Sequence, residues 1–345
     1  MQTQPNGLLF ANAVTLLPYK SAPAASVFIS GGYLNGYPNL LIWRYDIADY
    51  SWNLQLSRNT LPLSVLGGLA SAYDRYLVSF GGVEQSKLQN SIYVYDVWEG
   101  RLSDQLVYPT GSAPPPRIVT QLLLDTPRLG PNVSLWANGT MFIYGGAQVT
   151  LTNSNGSFPF LNYVFMDDLW IFFFSNSSWL RIVPEPGAAT PGARGLGAFA
   201  MVSRYPSPVA YLFGGFNAME VMSDLWQLTC NTRQWLKLET TTPIGPRIGF
   251  QMTMVGRRMV LISGAIWTNA SGPPALLTRI PPDNEVWSIM YNERTQQPVI
   301  TNLTLYGLVA PRTNGVAMTF NEEGLVGMAL GENNVKKKKD KNAGL

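Results

Sequence analysis

Few side chains in this sequence are candidates for chemistry. Asp167, Asp168, Glu185 and Glu220 could build a carboxylate-only site, one that holds a hard cation with backbone oxygens or carries general acid–base work. Histidine is absent from all 345 residues, which removes the commonest general base and metal ligand together. Cys230 is the only cysteine, so no intramolecular disulfide and no cysteine zinc site can form, and its slot between two strands suits a small apolar filler better than a reactive thiol. Against the acidic site stands repetition. Asp46, Asp168 and Asp224 fall at turn or strand-end places that recur along the chain, which accounts for them without chemistry. The sequence therefore predicts no enzyme, no cofactor, and no catalytic, cofactor-binding or metal residue.

Six Asn-x-Ser/Thr sequons are glycosylation candidates: Asn132, Asn138, Asn155, Asn176, Asn269 and Asn302. Most lie in loop-like stretches, where a glycan has room. They predict a secreted or extracellular protein, with the cytoplasm as the alternative, because Asn and Ser populate turns anyway. The formal charge is +3, from 24 basic and 21 acidic residues. Residues 336–345 carry five Lys and one Asp, a net of +4, so residues 1–335 sit near −1. A near-neutral body lacks the basic face that phosphate neutralisation requires, so no nucleic-acid role is expected. Residues 336–345 read as a basic, disordered tail. No run approaches the about 18 apolar residues of a transmembrane helix, and the first residues lack the pattern of a signal peptide.

The elements that would position these residues are strands. From Ala210 to Leu238, an apolar run closes at Gly214-Gly215, Asp224-Leu225-Trp226-Gln227-Leu228 alternates, and Trp235-Leu236-Lys237-Leu238 alternates again after a polar turn. The glycine pair marks a turn with φ values that other residues resist. The same grammar recurs at Val27–Gly32 with Trp43 and Trp52, at Leu77–Gly82 with Ile92–Asp96, at Met141–Gly146 with Trp170 and Trp179, and at Val260–Gly264 with Trp287. A further strand precedes each apolar run, opened in later copies by Pro116-Arg117, Pro191 to Arg194, Pro246-Arg247 and Pro311-Arg312.

The diglycine, the Asp-Leu-Trp strand and the second Trp resemble the kelch motif, and the resemblance runs from about Val27 to Leu330. It implies an all-β fold, a β-propeller of four-stranded blades. Six blades are expected. Five are complete, and the sixth, after Arg312, is either incomplete or closed by the N-terminal apolar stretch, which otherwise reads as the outer or opening strand of the first blade. Residues 1–335 then form a single propeller. The recurrent Trp residues read as rings filling the gaps between blades. Copper-radical oxidation, known among kelch-like propellers, needs two histidines that this sequence lacks.

The resemblance implies a non-enzymatic binding or scaffold protein. A protein partner is expected and a glycan is possible; the alternatives are a structural subunit of a larger extracellular or organellar assembly, or a carboxylate- or metal-dependent enzyme on a propeller. Two oversized stretches, Ala147 to Asp167 and Ala265 to Asn284, follow equivalent glycine turns and read as long loops on one face. Phe158, Phe160 and Trp267 within them have no repeat-equivalent core role, which makes them partner-binding candidates.

Overall fold

Alternating strands with one glycine-closed end fold here as a series of small antiparallel sheets. The computed structural model describes residues 8–9, 12–16, 26–30, 33–34, 37–38, 41–46, 51–55, 68–72, 75–84, 87–103, 112–118, 121–125, 135–151, 160–203, 208–217, 219–240, 244–248, 251–255, 258–262, 265–266, 285–292, 295, 297–303, 319–321 and 324–326. Among these, five sheets have four strands each. The first holds Asn12–Leu16, Ser26–Ser30, Ile42–Asp46 and Ser51–Gln55. The second holds Gly68–Ala72, Tyr76–Phe80, Ile92–Asp96 and the two-residue Arg101–Leu102. Gln121–Asp125, Thr140–Tyr144, Leu169–Phe173 and Ser178–Ile182 make the third. The fourth is Ala198–Ser203, Val209–Phe213, Leu225–Thr229 and Gln234–Leu238, and the fifth Gln251–Val255, Arg258–Ile262, Val286–Asn292 and Gln297–Asn302.

In each sheet the strands pair in chain order, so every sheet is a simple meander. The first strands of successive sheets lie side by side, from Asn12–Leu16 through Gly68–Ala72, Gln121–Asp125 and Ala198–Ser203 to Gln251–Val255. A further hairpin, Thr319–Asn321 with Gly324–Val326, follows the fifth sheet, and its first strand lies beside both Gln251–Val255 and Asn12–Leu16. The N-terminal apolar stretch is thus the opening strand of the first sheet, paired with Ser26–Ser30, rather than a member of the sixth.

The core lies between sheets. One cluster joins Val78 and Phe80 of the second sheet to Trp170, Phe172 and Trp179 of the third. Another joins Phe142 and Tyr144 to Trp226 and Leu228, and a third joins Tyr211 and Phe213 to Trp287 and Ile289. The Trp residues fill the gaps between sheets, as the repeat predicts. Two contacts recur in register: the last residue of a second strand meets the Trp of the next sheet's fourth strand edge-on, Phe80 with Trp179 at 5.3 Å and Tyr144 with Trp235 at 5.1 Å. Cys230 is buried in the second of these clusters, consistent with an apolar filler.

Two stretches differ from expectation. The insertion between the third sheet's first two strands contains a short helix, Leu135–Asn138, whose Leu135 is fully buried and whose Trp136 packs edge-on against Tyr76 and Phe174. The stretch Ala147 to Asp167 is not a structureless loop. Ala147–Leu151 and Phe160–Phe165 pair as an antiparallel hairpin with a register shift at Val149/Thr150.

Candidate binding face

The diglycine ends of the sheets share one construction. Gly81, Gly145 and Gly214 have φ of 72°, 59° and 59°, and the glycines that follow have φ of 92°, 95° and 96°. Two consecutive positive-φ residues reverse the chain tightly, and L side chains resist both. The second amide of each pair turns toward the next sheet. Gly82 N donates to Arg117 O at 2.7 Å, Gly146 N to Arg194 O at 2.8 Å and Gly215 N to Arg247 O at 3.3 Å. A side chain at Gly81 would place its Cβ 2.7 Å from Arg117 O, so the close approach of neighbouring sheets itself excludes one.

Those three arginines are fully buried, and each finds a carboxylate at the start of its own sheet's third strand. Arg117 Nη1 and Nη2 donate to Asp168 Oδ1 and Oδ2 at 2.6 and 2.9 Å. Arg194 grips Asp224 in the same fork, at 2.6 and 2.9 Å. Arg247 Nη2 donates to Glu285 at 3.0 Å. The same carboxylates accept from the indoles two residues on: Trp170 and Trp226 at 2.6 Å, Trp287 at 2.8 Å. Arg117 and Arg194 also donate to the carbonyls of Gly145 and Gly214. One guanidinium therefore fixes the connector, the diglycine and the third strand of its sheet, while its backbone carbonyl holds the preceding sheet. Burial pushes the Asp168 and Asp224 carboxyls up, but the hydrogen bonds and charge of Arg117 and Arg194, with the indole donors, outweigh it and hold both below the usual carboxylate range.

These triads are structural, and they consume Asp168 as a candidate for chemistry. Asp167, Glu185 and Glu220 are exposed. Among the described residues no group of three metal-ligating side chains occurs. Asp46 does not share the place of Asp168 and Asp224. It closes the far end of its third strand, where it accepts from Arg44, Ser26 and Asn53. Its counterpart is Asp96, paired with Arg75 at 2.5 Å.

Beyond the glycine turns, a diglycine in the first four copies and Ser263-Gly264 in the fifth, the chain adds a short layer of structure. Leu8–Leu9 pairs with Tyr33–Leu34, Val83–Glu84 with Lys87–Leu88, and Arg247–Ile248 with Ala265–Ile266. In the fourth sheet, Phe216 bridges both Gly195 and Val221. The hairpin of the third sheet is the largest. Tyr163 and Phe165 stack at 5.9 Å and pack, with Val83, Leu88 and Leu196, against Ile118, Ala147 and Val149. Phe165 then meets Phe216 edge-on at 5.0 Å, which ties this hairpin to the turn of the fourth sheet. Val164 and Met219, flanking that contact, are 62% and 86% exposed.

Of the expected partner-binding aromatics, Phe160 lies on the second strand of this hairpin, whereas Phe158 and Trp267 lie outside the described residues. Val164 and Met219 went unmarked in the sequence because Val164 sits in an apolar run, Tyr163-Val164-Phe165-Met166, where nothing singles out one outward-facing residue, and a lone Met carries no signal of exposure. Of the sequons, Asn138 is exposed at the end of the short helix. Asn176 is exposed too, and its side-chain oxygen accepts from Ser178 N and Oγ at 3.2 and 2.7 Å, ordinary turn chemistry. Asn302 ends a strand opposite Trp287, and Asn132, Asn155 and Asn269 lie outside the described residues. No helix of the described residues is long and apolar enough to cross a membrane.

Residues 26–264 match the family model of the KLHDC2/KLHL20/DRC7 Kelch-repeats domain. The chain is 26% identical over 227 residues to human "Host cell factor 2", covering 64% of this chain and 27% of that protein. It is 24% identical over 234 residues to human "Kelch domain-containing protein 1", covering 61% of this chain and 52% of that protein. The matched region thus spans about a quarter and about half of these relatives. Nothing in these likenesses supports the expectation of a secreted glycoprotein.

Proposed function

The chain belongs to the kelch-repeat family, and from that premise we propose that it is a protein-binding module, without chemistry of its own, whose contact surface is the diglycine face between the third and fourth sheets. The observation that carries this reading is the pair of ordered projections there, the hairpin Ala147–Leu151/Phe160–Phe165 and the turn Phe216–Val221, locked together by Phe165 and Phe216 yet presenting Val164 and Met219 to solvent. A repeat needs no such hairpin to complete its sheet. Ordered apolar side chains on projecting loops are what interfaces use as anchors. Beneath them the Arg–carboxylate–Trp triads hold the sheet ends rigid, so the projections keep a fixed geometry.

The test is binding of a natural partner by the full chain and by a variant lacking residues 152–159. The variant is expected to keep its melting temperature and bind more weakly. Full binding by it and by a Val164→Glu variant together would place the contact surface elsewhere.

A further inference from the structure

Most outer strand edges of the described sheets are defended against further pairing. Ser178–Ile182 carries Arg181, Gln234–Leu238 carries Lys237 and Gln297–Asn302 carries Pro298, while the second sheet ends in the two-residue Arg101–Leu102 and Ser51–Gln55 alternates with polar Ser51, Asn53 and Gln55. Phe160–Phe165, the second strand of the projecting hairpin, has no charge, proline or glycine in its six residues. Among the described residues it pairs only with Ala147–Leu151, so its other edge adjoins no strand.

The hydrogen-bond phase shows what that edge offers. Ala147 exchanges both backbone bonds with Ile118, at 2.9 and 3.0 Å, so Phe165, which lies opposite Ala147, turns its N–H and C=O away from the hairpin. The strand is firmly seated: Tyr163 and Phe165 pack on Ile118, Ala147 and Val149, and Phe165 meets Phe216, while Val164 between them faces solvent. The register shift leaves Asn162 without an opposite residue. The regular edge therefore runs from Tyr163 to Phe165, about 10 Å of strand.

We infer that this edge takes up an extended segment of a partner protein as a third strand, its main chain bonding to Phe165 and an apolar side chain lying against Val164. This rests on the reading of the diglycine face as the contact surface. Backbone groups turned outward recognise backbone, which any extended segment supplies, and the side chain set against Val164 adds selection. A second copy of the chain is the poorer occupant, because about 10 Å of edge falls well short of the about 800 Å² per partner that a stable dimer buries.

The experiment uses a fluorescein-labelled peptide of alternating Val and Thr, and two versions of it N-methylated at every Val or at every Thr. Methylation removes the N–H groups along one side of an extended peptide and leaves its side chains in place. Fluorescence anisotropy on the full chain is expected to show binding of the parent peptide, a loss of about tenfold with one methylated version, and near-parent affinity with the other. A Phe165→Pro variant, which deletes the outward N–H and spares the ladder to Ala147–Leu151, is expected to weaken the parent peptide to a similar degree. No binding of the parent, equal effects of the two methylations, or full binding by Phe165→Pro overturns the inference. A mass that doubles with concentration in sedimentation equilibrium, and stays monomeric in Phe165→Pro, also overturns it, since a second copy would then hold the edge. Hydrogen exchange with a natural partner bound separates the two levels. Slowing across the hairpin with the Phe165 amide unchanged sinks only the added strand, whereas slowing confined to the opposite ends of the sheets sinks the face itself.

Discussion

Arg117 and Asp168 are 51 residues apart in the chain and meet as a two-toothed ion pair, with the arginine side chain fully buried and the carboxylate 11% exposed. A charge held that way tolerates loss of its partner badly. Asp168→Ala leaves a buried guanidinium without a counter-ion and should cost about 3–5 kcal/mol. The corresponding carboxylates are 22% exposed at Asp224 and 33% at Glu285, and water screens them increasingly. Denaturant unfolding of Asp168→Ala, Asp224→Ala and Glu285→Ala is therefore expected to give losses that fall in that order.

Acid should act through the same pairs. The Asp168 and Asp224 carboxyls lie below their ordinary values in the folded chain, so their stabilisation is fully present above the unfolded pKa, about 4, and drains away as pH falls through the lower folded values. Melting temperature should decline below about pH 4, and more shallowly in an Asp168→Asn/Asp224→Asn double variant. Parallel curves for the two proteins would remove these groups from the acid response.

Gly214→Val should destabilise the fold by about 2 kcal/mol or more, because a β-branched residue is forced to a φ of 59°. Gly187, also at positive φ but with open space around it, is the control for crowding, and alanine there should cost less than at Gly81, where the new Cβ would meet the Arg117 carbonyl. Thermal melts of the three variants check both statements.

Much of this was legible in the sequence, and the failures have physical causes. Gly-Gly after an apolar run announces positive φ because few other pairs tolerate it, and that expectation holds at Gly214-Gly215. The Asp-Leu-Trp strand was visible, but the partner of its Asp was not, since Arg194 and Asp224 are 30 residues apart and Arg247 and Glu285 are 38 apart. A signal existed. The third to fifth copies carry both the arginine and the carboxylate, whereas in the first two Leu41 and Ser91 stand where the carboxylate would precede the third strand. The indole of Trp43 accordingly has no carboxylate there, and its Nε1 is buried without a hydrogen-bond partner among the described residues. The hairpin was hidden by the Asn-, Ser- and Gly-rich residues 152–157 between its strands, although Ala147-Gln148-Val149-Thr150-Leu151 alternates as a strand should.

Closure of the sheets into a ring is open to a deletion. Thr319–Asn321 lies beside both the first strand of the fifth sheet and Asn12–Leu16. Removing residues 1–17 should therefore lower the melting temperature sharply, because it strips the first sheet of a strand and exposes two edges. Unchanged melting would refute a closing contact at this end.

The central claim is that partners meet the diglycine face between the third and fourth sheets, and hydrogen–deuterium exchange of the full chain with and without a bound natural partner tests it most directly. The account predicts slowed exchange in Ala147–Leu151, Phe160–Phe165 and residues 216–222, with residues 97–100, 174–177 and 230–233 at the opposite ends of the sheets unchanged. Slowing confined to those opposite turns would contradict it.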